Sequence, residues 1–324
     1  NSQLGDLSRA GGTGGNAILN GILRTGVVSP EKIVVSDIDD KKLEIIKNQG
    51  VNTVKDNKVL FKNAEFIILA VKPQVAKVIF RDFEKIENLK IISIMAGITK
   101  DTLKGFFDGA RVTRIMPNTP CLLGEGACAI DAGDFDDNGK KLVFDIFKSL
   151  GKVVELDEKH FDAVTAVSGS GPAYVYTFIK AMIDAGCDMG LSDKISEELT
   201  LQTFLGAVKM VENRTTDIET LIKNVCSPGG TTIEAVKSFK ENNLEEIIKD
   251  GMRKCEKRSK ELSENASMAE TLSRRAAEYE AARRGEKPDN ETNQFATMPD
   301  LLLIDGGRGQ VSAVKQALRG TALE

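Results

Sequence analysis

The chain has 324 residues, 41% hydrophobic and 28% charged, which is enough for two ordinary domains and excludes wholesale disorder. Its net charge of −4 gives no general attraction for nucleic acid or an anionic membrane, and neither a bilayer-spanning run nor a signal peptide is expected. One histidine, His160, excludes a multi-histidine metal site, and five scattered cysteines predict reduced thiols in a cytoplasmic protein without a bound metal.

Glycines 11, 12, 14 and 15 precede a helical run, Ala17 to Arg24. Short β-branched runs then alternate with amphipathic segments. Ile33 to Ser36, Phe66 to Val71, Ile91 to Met95 and Arg111 to Ile115 read as strands buried on both faces. Lys41 to Gln49 and Thr99 to Phe107 read as helices between them. Such alternation predicts an α/β domain over residues 1–157, with a parallel sheet covered by helices. From residue 158 the pattern becomes all-helical. Val175, Phe178, Ile179, Met182 and Ile183 share one face, and Leu201, Phe204, Leu205 and Val208 repeat the spacing one helix later. Apolar residues outside a single stripe predict a bundle or a dimer interface over 158–262. Residues 263–324 change again: a polar, Arg- and Glu-rich stretch leads to one isolated apolar run, Met298 to Gly307, read as a separate tail.

Gly12 to Ala17 fits G-x-G-x-x-A, in which glycine lets backbone approach a pyrophosphate at a helix N-terminus; a flexible glycine-rich terminus is the alternative. About 20 residues on, Asp37 can bond a ribose hydroxyl or act as a solvated turn acid, while Ser36 could meet a 2′-phosphate, so NAD and NADP both remain open. Ala70-Val71-Lys72-Pro73 and Met116 to Pro120 fall after strands, at the edge where open α/β sheets bind ligands. Ser168 to Tyr174 places small residues ahead of a helix. Ser227-Pro228-Gly229-Gly230-Thr231-Thr232 offers amides and hydroxyls able to hold a carboxylate, with ordinary N-capping by a threonine as the alternative.

Together AVKPQ (70–74), MAG (95–97), RIMPNTP (114–120), GEG (124–126), DAVTAVSGSGPAY (162–174), LIKNVCSPGGTTIEAV (221–236) and KRSKEL (257–262) resemble the pyrroline-5-carboxylate reductases, in family order. The resemblance implies a Rossmann domain followed by a helical dimerisation domain, and reduction of 1-pyrroline-5-carboxylate to L-proline by NADPH or NADH. It implies a homodimer, with assembly up to a decamer. By the same resemblance the dinucleotide lies on Gly12, Thr13, Gly14 and Gly15 and near Ser36, Asn57, Ala70, Val71, Lys72, Pro73, Ala96 and Asn224. The substrate carboxylate is held at Gly230, Thr231 and Thr232, with Glu158 close by; Thr232 is the candidate catalytic partner of the ring nitrogen.

Two stretches depart from that pattern. Asp6, Ser8 and Arg9 are too polar for a buried first strand, which is therefore expected to be incomplete, with a catalytically impaired dimeric module as the alternative reading. The tail, with Asn265 to Met268, Arg274-Arg275 and Pro299 to Gln310, resembles the RNase H-like nuclease domain of the UvrC excinucleases, where Asp305 matches a metal-binding acid. One carboxylate cannot hold two metals, so an inert appendage is expected rather than a DNA-repair nuclease.

Overall fold

The computed structural model describes residues 4–7, 13–71, 89–107, 109–284 and 308–321. The chain divides into two compact units, one made of residues 1–169 with 256–324 and the other of residues 170–255.

The first unit is built on an eight-stranded sheet of β1 (Leu4–Leu7), β2 (Ile33–Ser36), β3 (Asn52–Val54), β4 (Phe66–Leu69), β5 (Lys90–Ser93), β6 (Arg111–Met116), β7 (Gly126–Asp131) and β8 (Gly151–Glu155), in the order β3-β2-β1-β4-β5-β6-β7-β8. All pairings are parallel except β6 with β7. Helices α1 (Thr13–Thr25), α2 (Asp40–Lys47), α3 (Asn57–Asn63), α4 (Lys100–Phe106) and α5 (Asp137–Lys148) are interspersed among the strands. Every residue of β4 is buried, and its side chains alternate between two cores. Phe66 and Ile68 join Ile18, Ile22, Ile92 and Phe147 on one face, while Ile67 and Leu69 join Phe61, Ile91 and Leu103 on the other. Burial on both faces is why these strands read as continuous apolar runs.

The first strand corrects an expectation. Leu4–Leu7 forms a strand and takes the central slot, parallel to both β2 and β4, with Asp6 in register with Val35 and Ile68. Its neighbours each present a full backbone ladder, and ladder bonds do not depend on side-chain polarity. Three strands escaped the sequence reading: β3 has only three residues, β7 is made of small residues, and β8 alternates with lysine and glutamate.

By contacts the compact units divide at residues 169 and 255. Leu156, Phe161 and Val164 pack with Met116 and Ala129, which ties residues 156–164 to the sheet unit. The tail is not a separate piece. Helix α10 (Leu244–Arg283) runs unbroken through residues 263–283; Ala266 packs against the core that holds Phe61 and Leu103, and Ala269 is buried. Helix α11 (Arg308–Leu318) adds Val314 and Leu318 to Ala276, with Met268 and Leu272 at the margin. The apolar run 298–307, Asp305 included, lies outside the described residues.

The second unit holds α6 (Gly171–Asp188), α7 (Asp193–Glu212), α8 (Ile218–Val225), α9 (Thr231–Glu241) and the start of α10. Helices α6 and α7 meet where the Ser196 hydroxyl donates to the Ile183 carbonyl at 2.8 Å; a side chain at Gly186 would strike Ser196. Little else in this unit is buried. Of the predicted apolar faces, Val175, Phe178, Met182, Leu201, Leu205 and Val208 are exposed and Ile179, Ile183 and Phe204 are half-buried.

Candidate functional site

The strand order reverses between β1 and β4, and the carboxyl edge beside such a switch point is where open α/β sheets bind ligands. The sequence-predicted dinucleotide residues gather there. Ser36 ends β2, Ala70 and Val71 follow β4, and Ala96 follows β5. The Ser36 hydroxyl donates to Asn57 Oδ1 at 2.6 Å, which joins two predicted positions 21 residues apart. Ser36 and Asp37 are both buried, and Asp37 Oδ1 accepts the Asp39 amide at 3.0 Å. Asp37 is therefore a turn acid, but a buried one rather than a solvated one.

Helix α1 begins at Thr13, so Thr13, Gly14 and Gly15 form its first turn. A Cβ at Gly14 would stand 2.8 Å from Ile94 Cδ1, so a larger residue in this turn would displace the end of the Ile94 side chain. Small residues in the first turn of a helix suit a dinucleotide pyrophosphate. Gly12, Lys72 and Pro73 lie outside the described residues. Asn118, in the Met116 to Pro120 segment, is occupied internally: its Oδ1 accepts the Ala127 amide at 2.9 Å and its Nδ2 donates to the Ser168 carbonyl at 3.1 Å.

In the helical unit, Ser227 to Gly230 form a tight turn closed by the Gly230 amide to the Ser227 carbonyl at 3.0 Å. Pro228 occupies its second position and Gly229, with φ of 72°, the third, where a left-handed backbone demands glycine. The turn delivers Gly230 as the N-cap of α9, with Thr231 and Thr232 as its first residues and no side chain capping the helix. This disposes of N-capping by either threonine. Six other helices are capped by Asp39, Asp56, Thr99, Asp136, Ser192 and Asp217. The α9 start thus keeps first-turn amides and a half-buried Thr232 hydroxyl for an anion. Asn224 lies in α8 and is exposed.

Glu158 sits on the sheet unit in a network the sequence did not reveal. Its Oε1 accepts from the Lys100 amide at 2.8 Å and from Arg114 Nη1 at 2.9 Å. Its own amide donates to Asp131 Oδ2 at 2.8 Å, and Lys100 Nζ donates to Asp131 Oδ1 at 2.8 Å. The Arg114 side chain is only 5% exposed and lies over the Phe161 ring at 5.0 Å. Burial opposes the charge of Asp131, but the Lys100 hydrogen bond and the amides of Glu158 and Gly133 hold its carboxyl below the usual range. Asp134 is likewise lowered: Lys104 and the Val112 amide outweigh burial. For Lys100, burial is outweighed by Asp131, Asp134 and Glu158, and its pKa is raised. Up to 58 residues separate these partners, so no local spacing could have signalled them. Among the described residues no cluster of His, Cys, Asp or Glu is arranged to hold a metal, and His160 is exposed.

Three family patterns match the chain: pyrroline-5-carboxylate reductase dimerisation at residues 158–262, NADP oxidoreductase, coenzyme F420-dependent, at 10–97, and the UvrC RNAse H endonuclease domain at 232–324. The last overlaps the first by residues 232–262 and starts well before the tail. Pyrroline-5-carboxylate reductase 3 of Xenopus laevis is 36% identical over 235 residues, covering 71% of this chain and 86% of the relative. Its Methanosarcina acetivorans counterpart is 33% identical, covering 81% and 98%. The crystal structure of Plasmodium falciparum pyrroline carboxylate reductase with NADP bound is 32% identical, covers 81% of this chain and 98% of its own, and superposes with a TM-score of 0.71. For the Coxiella burnetii enzyme the identity and coverage are the same and the TM-score is 0.73. With its switch-point edge, its SPGG turn and these relatives, the chain belongs to the pyrroline-5-carboxylate reductase family.

Proposed function

We propose that the chain reduces the cyclic imine of 1-pyrroline-5-carboxylate to L-proline with NADPH or NADH. The observation that carries this reading is the uncapped start of α9, where Gly230, Thr231 and Thr232 offer amides and hydroxyls to a carboxylate. A bound dinucleotide supplies the hydride. The protein supplies position and electrostatics. Thr13, Gly14 and Gly15 take the pyrophosphate; Ser36 and Asn57 face the adenosine ribose; Ala70, Val71 and Ala96 take the nicotinamide side, and Gly12, Lys72, Pro73 and Asn224 are assigned to the dinucleotide by family resemblance alone. The Thr232 hydroxyl partners the ring nitrogen as the iminium becomes an amine, a step that can draw its proton from solvent and needs no histidine. Glu158, held by Arg114 and the Lys100 amide, is assigned to the substrate by family resemblance.

The dimerisation pattern and the exposed apolar face of α6 and α7 fit self-association. Assembly of dimers into a decamer and residence in the cytoplasm are part of the proposal, the latter supported by five free thiols. No described helix is long and apolar enough to cross a membrane.

Fluorescence titration with NADPH and NADH, followed by addition of pyrroline-5-carboxylate, tests the reading. Saturable binding with turnover is expected. Thr232→Ala should lower kcat/KM by about 10²-fold while dinucleotide affinity holds. Wild-type kinetics in that variant would remove Thr232 from the chemistry, and a folded protein that binds no dinucleotide would remove the reductase reading.

A further inference from the structure

Cys121 and Cys128 belong to the sheet unit and serve none of the roles above. Cys121 lies in the helical turn Thr119–Leu123 after β6, and Cys128 lies in the middle of β7. Both are buried, and their sulfurs stand 3.6 Å apart. Cys121 Sγ also lies 3.9 Å from Asn118 Oδ1, the atom that accepts the Ala127 amide. The backbone on either side of the pair is therefore held: Asn118 ties the start of the turn to β7, and β7 pairs with β6 and β8. Of the other cysteines, Cys187 contacts Asp193 and Cys255 contacts Ser170.

We propose that Cys121 and Cys128 form a redox modification site, oxidised by a small hydroperoxide to an intramolecular disulfide. Closing the pair requires the sulfurs to approach from 3.6 Å to about 2.05 Å, a motion within reach of two side-chain torsions and a slight shift of the turn. The Cys128 hydrogen bond draws the Cys121 thiol down to about 7, against burial, which pushes it up. Cys128 is pushed up by the same hydrogen bond and by burial. Cys121, in the turn rather than in mid-strand, is the attacking thiol of the proposal and Cys128 the resolving one. The Cys121 thiolate attacks one peroxide oxygen, the O–O bond breaks, and the alcohol or water leaves with a proton from solvent, giving a sulfenic acid. The Cys128 thiol then attacks that sulfur; the S–O bond breaks, and the hydroxyl leaves as water with the Cys128 proton. Two thiols are oxidised by two electrons and one peroxide is reduced.

Graded hydrogen peroxide on the native full-length protein, read by intact mass and non-reducing peptide mapping, decides the matter. The expected product is about 2 Da lighter, carries a Cys121–Cys128 linked peptide before Cys187, Cys226 or Cys255 reacts, and reverts with dithiothreitol. At the same dose Cys128→Ser should instead gain about 16 Da at Cys121, trapped by dimedone, and Cys121→Ser should leave Cys128 unmodified. The wild-type map stands by itself should either variant misfold. Wild-type Cys121 that gathers oxygen without linking, or a pair that stays silent while the other three cysteines oxidise, overturns the proposal.

Discussion

In the sheet unit Ile68, Ile92 and Phe147 are completely buried, whereas in the helical unit Leu205 and Val208 are 50% and 56% exposed. Composition does not explain this contrast, since both stretches are rich in aliphatic residues. The sheet unit covers both faces of each central strand with its own helices, so its core closes within one chain. The helical unit has only Gly186, Ser196 and Thr200 buried in its two long helices, and its apolar surface is left for another surface to cover. One unit is stable through what it contains, the other through what it meets.

That contrast can be broken at its strong end first. Phe147→Ala should lower the unfolding free energy by roughly 3–5 kcal/mol in denaturant titration, since it empties a fully buried site. A loss below 1 kcal/mol would mean that the sheet core is looser than its burial suggests. Asp131→Asn should lose about 1–2 kcal/mol at neutral pH, by leaving Lys100 Nζ with the more distant Asp134 at 3.8 Å in place of Asp131 at 2.8 Å. Because the folded pKa of Asp131 is depressed, its contribution is present above the ordinary carboxylate value of about 3.9 and is lost as pH falls through the lower, folded value. Lys100 is raised, so its share is full below about 10.4 and lost only at higher pH. The gap between wild type and variant should therefore be flat from pH 5 to 9 and narrow below about 4. A gap that widens on acidification would contradict the network.

Smaller effects sharpen the comparison. Ending the chain after Leu262 removes the cover that Ala266 and Ala269 provide and should lower stability by about 1–2 kcal/mol, whereas ending it after Arg284 should cost less than about 1 kcal/mol, the share of the small Ala276–Val314–Leu318 cluster. Equal melting temperatures for all three lengths would make the whole tail dispensable. Leu205→Asp should change stability by no more than about 0.5 kcal/mol, yet should shift sedimentation toward the monomer. An unchanged assembly would place the interface on another face.

Much of this was readable in the chain. Ile33 to Ser36 is a strand with the predicted bounds, and α6 begins at Gly171 with Pro172 in its first turn, where proline is permitted. The SPGG turn was visible because only certain residues fit it. The first strand was misjudged because polarity outweighed position: Asp6 argues against burial, but the ladders on either side recruit the segment regardless. The Glu158 network was invisible for another reason. Lys100, Arg114, Asp131 and Glu158 converge only after four elements have packed, and each taken singly is an ordinary charged residue. Continuation of α10 into the tail was hidden by composition, since a polar helix carries little periodic signal.

The central place of β1 has a consequence for handling the protein. Neighbouring strands lie about 4.8 Å apart, so loss of residues 4–7 would leave β2 and β4 facing each other across nearly 10 Å, too far to pair. Two apolar ladders would then be open at once in the middle of the sheet, each a template for another chain's backbone. Proteolytic trimming of the N-terminus should therefore show itself first as aggregation, in preparations whose remaining sequence is intact.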